Sequence, residues 1–581
     1  MASFEDLLQE AQRRFQELEA GDKPWIRIGT AVCGEAAGAL PVVEAFRTEL
    51  ERRGIAANVS AVGCLGLCYA EPLVDILKPG KPRVFYKNLT PEQVPALVES
   101  YLTGDDPRPD LALAYLGDEQ VEGIPRLEDL PMWSRQVRIA LRNCGHIDPL
   151  DIYQYIARGG YDALNKALNE MQPEEVIKEV RDSGLQGRGG AAFPTGTKWN
   201  FLARSPGPIK YILCNCEEGD PGAYNDKGIL ESDPHTLIEG AILAGYATAA
   251  SNGVVFIRHG HQGPIERAER AIEQAYQLGI LGENILGSSF SFHMEVSLTG
   301  ESYVAGEETA LMESVEGKRA MSRSRPPFPA QSGVWGLPSN INNVKTISYV
   351  PEIISRGGEW FASIGTEGSK GTAVLCLSGN IERPGTVEVP MGITLREVIN
   401  DMAGGAPDGR KVKFLQTGGP LGGFLPADQL DIPLDFAGMA QVGAILGSGG
   451  IIVADERACA VDMARLLVTF CQYESCGKCF PCRLGMKNLL EIIERIARFQ
   501  SRPQDLEIMR TIGQYMAASA LCGHGQLGWS PVQSALQFFP EDFAAHMEEK
   551  RCPTGQCLGP VFVPQRTRSS NTSAQPLELR I

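Results

Sequence analysis

The stretch "SGLQGRGGAAFPTGTKWNF", residues 183–201, governs the reading of this chain. Gly187, Gly189 and Gly190 free backbone N–H groups to approach an anion closely, with a helix expected to start nearby. Lys198 adds a positive charge suited to a phosphate, and Phe193 and Phe201 offer faces for a flat ring. A glycine-rich loop by itself is as readily an ordinary turn. This one has company. "CNCEEGDPGAYNDK" (214–227) follows a predicted strand and carries Asn215, Glu217, Glu218 and Asp220. "GESYVAGEETALMESVEGKR" (300–319) adds Tyr303, Gly306, Glu307 and Glu308. "RSRPPFP" (323–329) offers Arg325 and Phe328, and "SNINNVKT" (339–346) offers Asn342 and Asn343. Acidic groups beside a phosphate loop suit ribose hydroxyls, ring nitrogens or an amide, as in nucleotide recognition. Taken alone they fit a solvated surface.

Working outward, 581 residues suffice for several domains. Apolar residues make up 43% and charged residues 22%, ordinary for a globular protein. The net charge of −17 argues against general nucleic-acid binding, because phosphate contacts need Lys and Arg. The N-terminal stretch reads as a charged amphipathic helix without the apolar run of a secretory signal. "LIEGAILAGYATAASNGVVFI" is interrupted by Glu239, Asn252 and Gly, so it reads as a buried helix and a strand, not a membrane span. A cytoplasmic location is therefore expected.

Residues 1–120 read as a small α/β unit, with "GDDPRPDLALAYLGDEQVEG" as a linker. From 121 to 365 strands ("IKYILCN", "GVVFIRHG", "SFHMEVSL") alternate with helices, an α/β sheet layered by helices. Residues 366–450 show short strands, turns and one helix, a small α+β domain. Residues 451–545 carry apolar positions at helical period, a helical bundle. A Cys/His segment and a polar tail occupy 546–581.

Within the bundle, "ESCGKCFPCRLG" (474–485) places Cys476, Cys479 and Cys482 three apart. Cys522 in "SALCGHGQLG" is the fourth thiol that a helical hairpin could return to them. Four thiolates in a three-plus-one split favour a [4Fe–4S] cluster. Zinc sites made of cysteine commonly use two separated C-x2-C pairs. Farther on, "HMEEKRCPTGQC" groups His546, Cys552 and Cys557; zinc is one reading, with Cys471 as the fourth ligand, and a plain helix end with free thiols is the other. Cys144, Cys214, Cys216, Cys376 and Cys459 sit in apolar or strand-like settings and are most simply buried thiols.

Together, "GRGGAAFPTGTKW", "GEETAL", "RPPFPA", "NINNV" and "ESCGKCFPCR", in this order, resemble the NADH-oxidising flavoprotein subunit of respiratory complex I. They look still more like the diaphorase subunits of NAD-linked or electron-bifurcating hydrogenases and formate dehydrogenases. The resemblance spans about 130–557, with a weaker N-terminal match. It implies a thioredoxin-like N-terminal domain, a Rossmann-like FMN and NADH domain, a β-grasp-like domain and a helical bundle carrying the [4Fe–4S] cluster. Gly187, Arg188, Gly189, Gly190 and Lys198 would hold FMN. Asn215, Glu217, Glu218, Tyr303, Gly306, Glu307, Glu308, Asn342 and Asn343 would line the cofactor. Phe193, Phe201 and Phe328 would surround the adenine of NAD(H), with Asp220, Glu308 and Arg325 on the dinucleotide. Many complex I members have Asp-Glu where this chain has Glu217-Glu218, and Glu where it has Asp220.

The resemblance also touches Cys33 and "VGCLGLC" with Cys64 and Cys68, which look like a thioredoxin-like [2Fe–2S] domain short of one cysteine. Either the cluster is lost and the fold is kept for docking, or a non-cysteine ligand completes it. The implied function is a diaphorase that exchanges a hydride between NAD(H) and FMN and passes single electrons through the cluster. The implied partners are a small [2Fe–2S] subunit and a catalytic subunit, with electron bifurcation left open. Acidic groups near a ribose lean towards NAD over NADP. The alternative is a flavin-free scaffold or relay subunit, against which the whole 187–198 loop and Glu307 argue. A thiol oxidoreductase built on the N-terminal domain would want C-x-x-C there, and "CLGLC" is C-x3-C.

Overall fold

The computed structural model describes residues 3–300 and 302–557; the polar tail expected at the C-terminus lies outside them. Three sheets and a helical bundle are found among the described residues.

The first sheet comprises β1 (Trp25–Gly29), β2 (Asn58–Val62), β3 (Val74–Leu77), β4 (Arg83–Tyr86) and β5 (Ala112–Leu116) in the order β2-β1-β3-β4-β5. Within this sheet only the β1–β2 pair is parallel, with the helix Ala39–Arg53 crossing over between its strands. The edge strand β5 corrects the expected linker: "LALAYL" lies inside that stretch, and Leu113, Ala114 and Tyr115 are buried. The first helix, Phe4–Glu19, begins with a capping box of Ser3 and Asp6. It touches this sheet through Phe15, whose ring meets Trp25 of β1 edge-on at 5.8 Å, and reaches the second domain as well. Its Ala11 joins the core of the second domain, and Arg14 lies 3.9 Å over the Tyr153 ring.

The second sheet is parallel throughout: β6 (Tyr211–Cys216), β7 (Asn252–Arg258), β8 (His293–Thr299) and β9 (Ser339–Asn343), in the order β8-β7-β6-β9. Helix Pro234–Thr248 is buried almost all round, which is why its sequence reads as nearly continuous apolar residues. Glu239 within it accepts hydrogen bonds from the Tyr155 hydroxyl at 2.5 Å and from the N–H groups of Tyr161 and Leu164. Burial pushes its carboxyl up to about 7. No helix among the described residues is long and apolar enough to cross a membrane.

The third sheet holds β10 (Thr372–Gly379), β11 (Gly385–Pro390), β12 (Val412–Thr417), β13 (Phe424–Pro426) and β14 (Gly450–Asp455) in the order β11-β10-β14-β12-β13. The expected boundary at 450 is thereby corrected. β14 is the central strand of this sheet, although "GGIIVAD" directly precedes the bundle. The loop 64–70 of the N-terminal domain docks on β11: Thr386 N–H donates to Gly66 O at 2.9 Å, and Leu65, Leu67 and Ala70 share the core of the third sheet. The bundle follows, with Ala460–Tyr473, Phe480–Ala497 and Asp505–Ser519 as its long helices.

Candidate functional site

The glycine loop runs into the helix Thr195–Arg204 at the carboxyl end of the parallel sheet, where N–H groups and the helix dipole favour an anion. Gly189 passes so close to Asn343 that a Cβ there would sit 3.0 Å from the Asn343 Cβ, so a side chain would have to push the neighbour aside. Lys198 Nζ donates to Ile341 O at 2.7 Å and pairs with Glu308 at 3.1 Å. Arg325 is tied to Glu308 at 2.7 Å and to Glu307 at 3.2 Å. Glu307 also caps the helix Glu308–Val315 through the N–H groups of Thr309 and Ala310. Phe193, Phe201 and Phe328 are exposed on the same side, with the first two rings 6.4 Å apart.

Asn215 at the end of β6 donates to Gly306 O at 2.8 Å and accepts from Glu217 N–H at 3.0 Å. Glu217 pairs with Arg258 at 2.9 Å, yet burial outweighs that attraction and pushes its carboxyl up to about 8. Asp220 accepts from the Tyr303 hydroxyl at 2.6 Å, and burial raises its pKa too. Asn343 donates to Asp226 at 2.6 Å, and Asp226 is paired with the buried Lys345 at 2.9 Å.

Three residues expected at the cofactor have side chains that are bonded into the scaffold. Arg188 turns inward: its guanidinium donates to Gln186 O, Lys370 O and Thr372 O, tying the loop to the third sheet. Glu218 accepts from the N–H groups of Asp226 and Lys227 at 2.9 Å and so holds the start of the helix Asn225–Ser232. Asn342 is buried between Asn340 and the Trp199 indole. All three hold up the scaffold.

The third sheet supplies residues that sequence reasoning passes over. Gly190 approaches Gly447, and a Cβ on Gly419 would meet the Asp220 carboxylate at 2.4 Å. The clusters "TGGPLGG" and "GSGG" are the signal that could have found them.

Cys476, Cys479, Cys482 and Cys522 line one pocket, together with Lys478 and His524. Two helix starts, Phe480–Ala497 and Gly523–Leu527, bring Cys479 and Cys522 in as N-terminal flanking residues. Burial pushes the Cys482 thiol up to about 11. Four thiols set around an open space, not converged on a point, suit a polynuclear cluster better than a single ion. Tyr303 stands between this cavity and the acidic site. Its hydroxyl is on Asp220, its ring lies 5.6 Å from that of His524, and its neighbour Val304 lines the cavity.

Two further thiol groups are compact. Cys33, Cys64 and Cys68 have sulfurs mutually within 4.8 Å. Cys459, His546, Cys552 and Cys557 likewise present ligand atoms within 4.8 Å of one another. This corrects the expected fourth member of the C-terminal group: it is Cys459, not Cys471. The two lie at opposite ends of the helix Ala460–Tyr473, and Cys471 is buried where its carbonyl accepts from His524 Nε2 at 2.8 Å. His546 Nδ1 donates to Asp542 O at 2.6 Å, which leaves Nε2 free towards Cys459 at 3.7 Å.

A phosphate-type loop at the end of a parallel sheet, one tyrosine away from a four-thiol cavity, defines an electron-transfer flavoprotein of the iron–sulfur class. Residues 180–352 match the Nuo51 FMN-binding domain, 374–425 the SLBB domain, and 462–546 the NADH-ubiquinone oxidoreductase-F iron–sulfur binding region. The HndC component of the NADP-reducing hydrogenase of Solidesulfovibrio fructosivorans is 46% identical over 73% of this chain and 86% of its own length. The F 2 component of the NADH-quinone oxidoreductase of Rhizobium meliloti is 42% identical over 71% of this chain and 99% of its own. A structure of the NAD+-reducing [NiFe]-hydrogenase in the H2-reduced state superposes with a TM-score of 0.63 at 26% identity, covering 94% of this chain and 87% of that one. The chain belongs to the family of the NADH-oxidising flavoproteins of complex I and their hydrogenase diaphorase relatives.

Proposed function

We infer that the chain is a diaphorase subunit. It exchanges a hydride between NAD(H) and FMN and passes single electrons through a [4Fe–4S] cluster to other subunits of an oxidoreductase complex. The observation that carries this reading is Tyr303, a single residue between the nucleotide side and the thiol cavity. FMN, when bound, supplies the conversion between two-electron and one-electron chemistry. The chain's own part is positioning. Gly187, Gly189 and Gly190 leave room for a phosphate, and Lys198 counters its charge. Asn215 and Asn343 fix the floor. Phe193, Phe201 and Phe328 offer faces for the dinucleotide, with Arg325 and the acids Asp220 and Glu308 beside them. Cys476, Cys479, Cys482 and Cys522 hold the cluster.

The finer assignments rest on chemistry. Three thiols and an imidazole whose other nitrogen is already bonded make a complete set of four donors, so zinc is assigned to Cys459, His546, Cys552 and Cys557. The compact N-terminal thiols are assigned to a [2Fe–2S] cluster. The complex is a hydrogenase, formate dehydrogenase or relative with a small [2Fe–2S] subunit and a catalytic subunit, located in the cytoplasm, and the acids at the dinucleotide favour NAD. The test is anaerobic purification followed by NADH. Flavin absorption that bleaches while an iron–sulfur EPR signal grows supports the reading. A cluster spectrum without flavin, unchanged by added FMN and NADH, would establish the flavin-free relay instead.

A further inference from the structure

Glu71 stands out among the carboxylates of the first sheet. It follows the thiol loop and shortly precedes β3, and it is 7% exposed. One oxygen accepts from Leu73 N–H at 2.8 Å; the other lies 3.8 Å from the Cys33 sulfur. Among the described residues no cation pairs with it. The nearby Arg27 and Arg83 are both committed to Asp75. Gly29 and Gly34 make its space, since a Cβ on either would meet the carboxylate at 3.0 or 3.3 Å. A buried carboxylate without a cationic partner is costly unless it binds a metal. Here three thiols stand beside it.

We propose that Glu71 is the fourth ligand of the centre at Cys33, Cys64 and Cys68, and that the [2Fe–2S] cluster is held by two pairs. Cys64 and Cys68, 3.7 Å apart, take one iron, and Cys33 and Glu71, 3.8 Å apart, take the other. Each iron of such a cluster needs two protein ligands, and both separations suit two donors on one metal. The sheet order β2-β1-β3 explains why these residues meet: Cys64 and Cys68 follow β2, Cys33 follows β1, and Glu71 precedes β3. The retained carboxylate thus fills the place of the cysteine that the motif lacks.

The proposal rests on the [2Fe–2S] assignment, and the experiment separates the two. The full chain is purified anaerobically as wild type, Cys68→Ser, Glu71→Gln and Glu71→Cys, and iron content, EPR and Mössbauer spectra are recorded. Glu71→Gln is expected to lose the [2Fe–2S] signal while the [4Fe–4S] signal and flavin stay. Glu71→Cys is expected to keep the iron and shift the g values and potential, as an oxygen donor gives way to sulfur. Wild-type protein grown on 13C-glutamate is expected to show carboxylate hyperfine coupling in the reduced cluster, a readout independent of how the variants fold. Unchanged spectra in both Glu71 variants, or no 13C coupling while the cluster signal is present, would overturn the Glu71 assignment alone. A wild type without [2Fe–2S] signal, with iron content unaltered in Cys68→Ser, would overturn the cluster assignment and with it the proposal.

Discussion

The helix Ala460–Tyr473 joins two thiol sites of opposite build. At its start, Cys459 lies 3.7 Å from both His546 Nε2 and the Cys557 sulfur, and hydrogen bonding from Cys557 and His546 pulls its thiol down to about 5. Beyond its end, Cys476, Cys479, Cys482 and Cys522 stand back around a pocket, and burial pushes Cys482 up to about 11. Donors converging on a point concentrate charge as a single ion requires. Thiols spaced around a pocket leave room for a body with its own sulfides, which also spreads the charge. The same side chain thus serves two chemistries, and the backbone that spaces it makes the choice.

The most damaging change should be Cys522→Ser. It removes the one ligand that comes from outside the "CGKCFPC" run. Loss of outer-shell partners alone costs roughly 10–100-fold in metal affinity or activity, so loss of a ligand should cut NADH-driven electron delivery to the partner subunits by at least about 100-fold. The [4Fe–4S] EPR signal should vanish while zinc content holds. Retention of that signal would show that the cavity is not a four-thiolate site.

Next in size is a pair of variants at the two ends of the helix. Cys459→Ser should weaken zinc binding by roughly 100-fold or more, and Cys471→Ser should leave it unchanged, as read by metal analysis and competition with a chromogenic chelator. The reverse outcome would return Cys471 to the site and break the contrast between the helix's two ends.

This pair also shows how far the sequence carries. Cys476, Cys479 and Cys482 lie on one short turn into a helix, so their spacing alone places them together, and "SALCGHG" returns through a hairpin of predictable helices. The choice between Cys459 and Cys471 is set by which end of one helix meets the segment 546–557, and no local pattern records that packing. The glycine loop is legible because a phosphate cradle is a local backbone shape. The bracing bonds of the Arg188, Glu218 and Asn342 side chains are not legible in the sequence, because polar residues that brace such a loop and polar residues that line it look alike there. β14 falls into the wrong unit for a related reason: a central strand that returns after a long excursion carries no mark of its partners. The alternation of strands and helices over 211–343, by contrast, follows hydrophobic period alone, and the parallel sheet is what it builds.

The smallest expected effect separates the two histidines of these sites. His546 offers Nε2 to the compact site, because Nδ1 already donates to Asp542 O. His524 is built the other way round. Its Nε2 donates to Cys471 O at 2.8 Å, and its Nδ1 is buried with no hydrogen-bond partner among the described residues. Burial lowers its pKa, so the neutral ring is favoured and the free nitrogen presents a lone pair, not a proton. His524 lines the cluster pocket beside four cysteines that already make up a full ligand set, which assigns it to the wall. His546→Ala should lose zinc. His524→Gln should keep full iron and full zinc and move the [4Fe–4S] potential by less than about 60 mV, a tenfold change in a one-electron equilibrium. Redox titration followed by EPR reads the shift, and metal analysis on the same sample reads the content. If His524→Gln instead lost the cluster, the imidazole would be a ligand or an essential prop of the site, and the distinction between a histidine that binds and one that lines would fail.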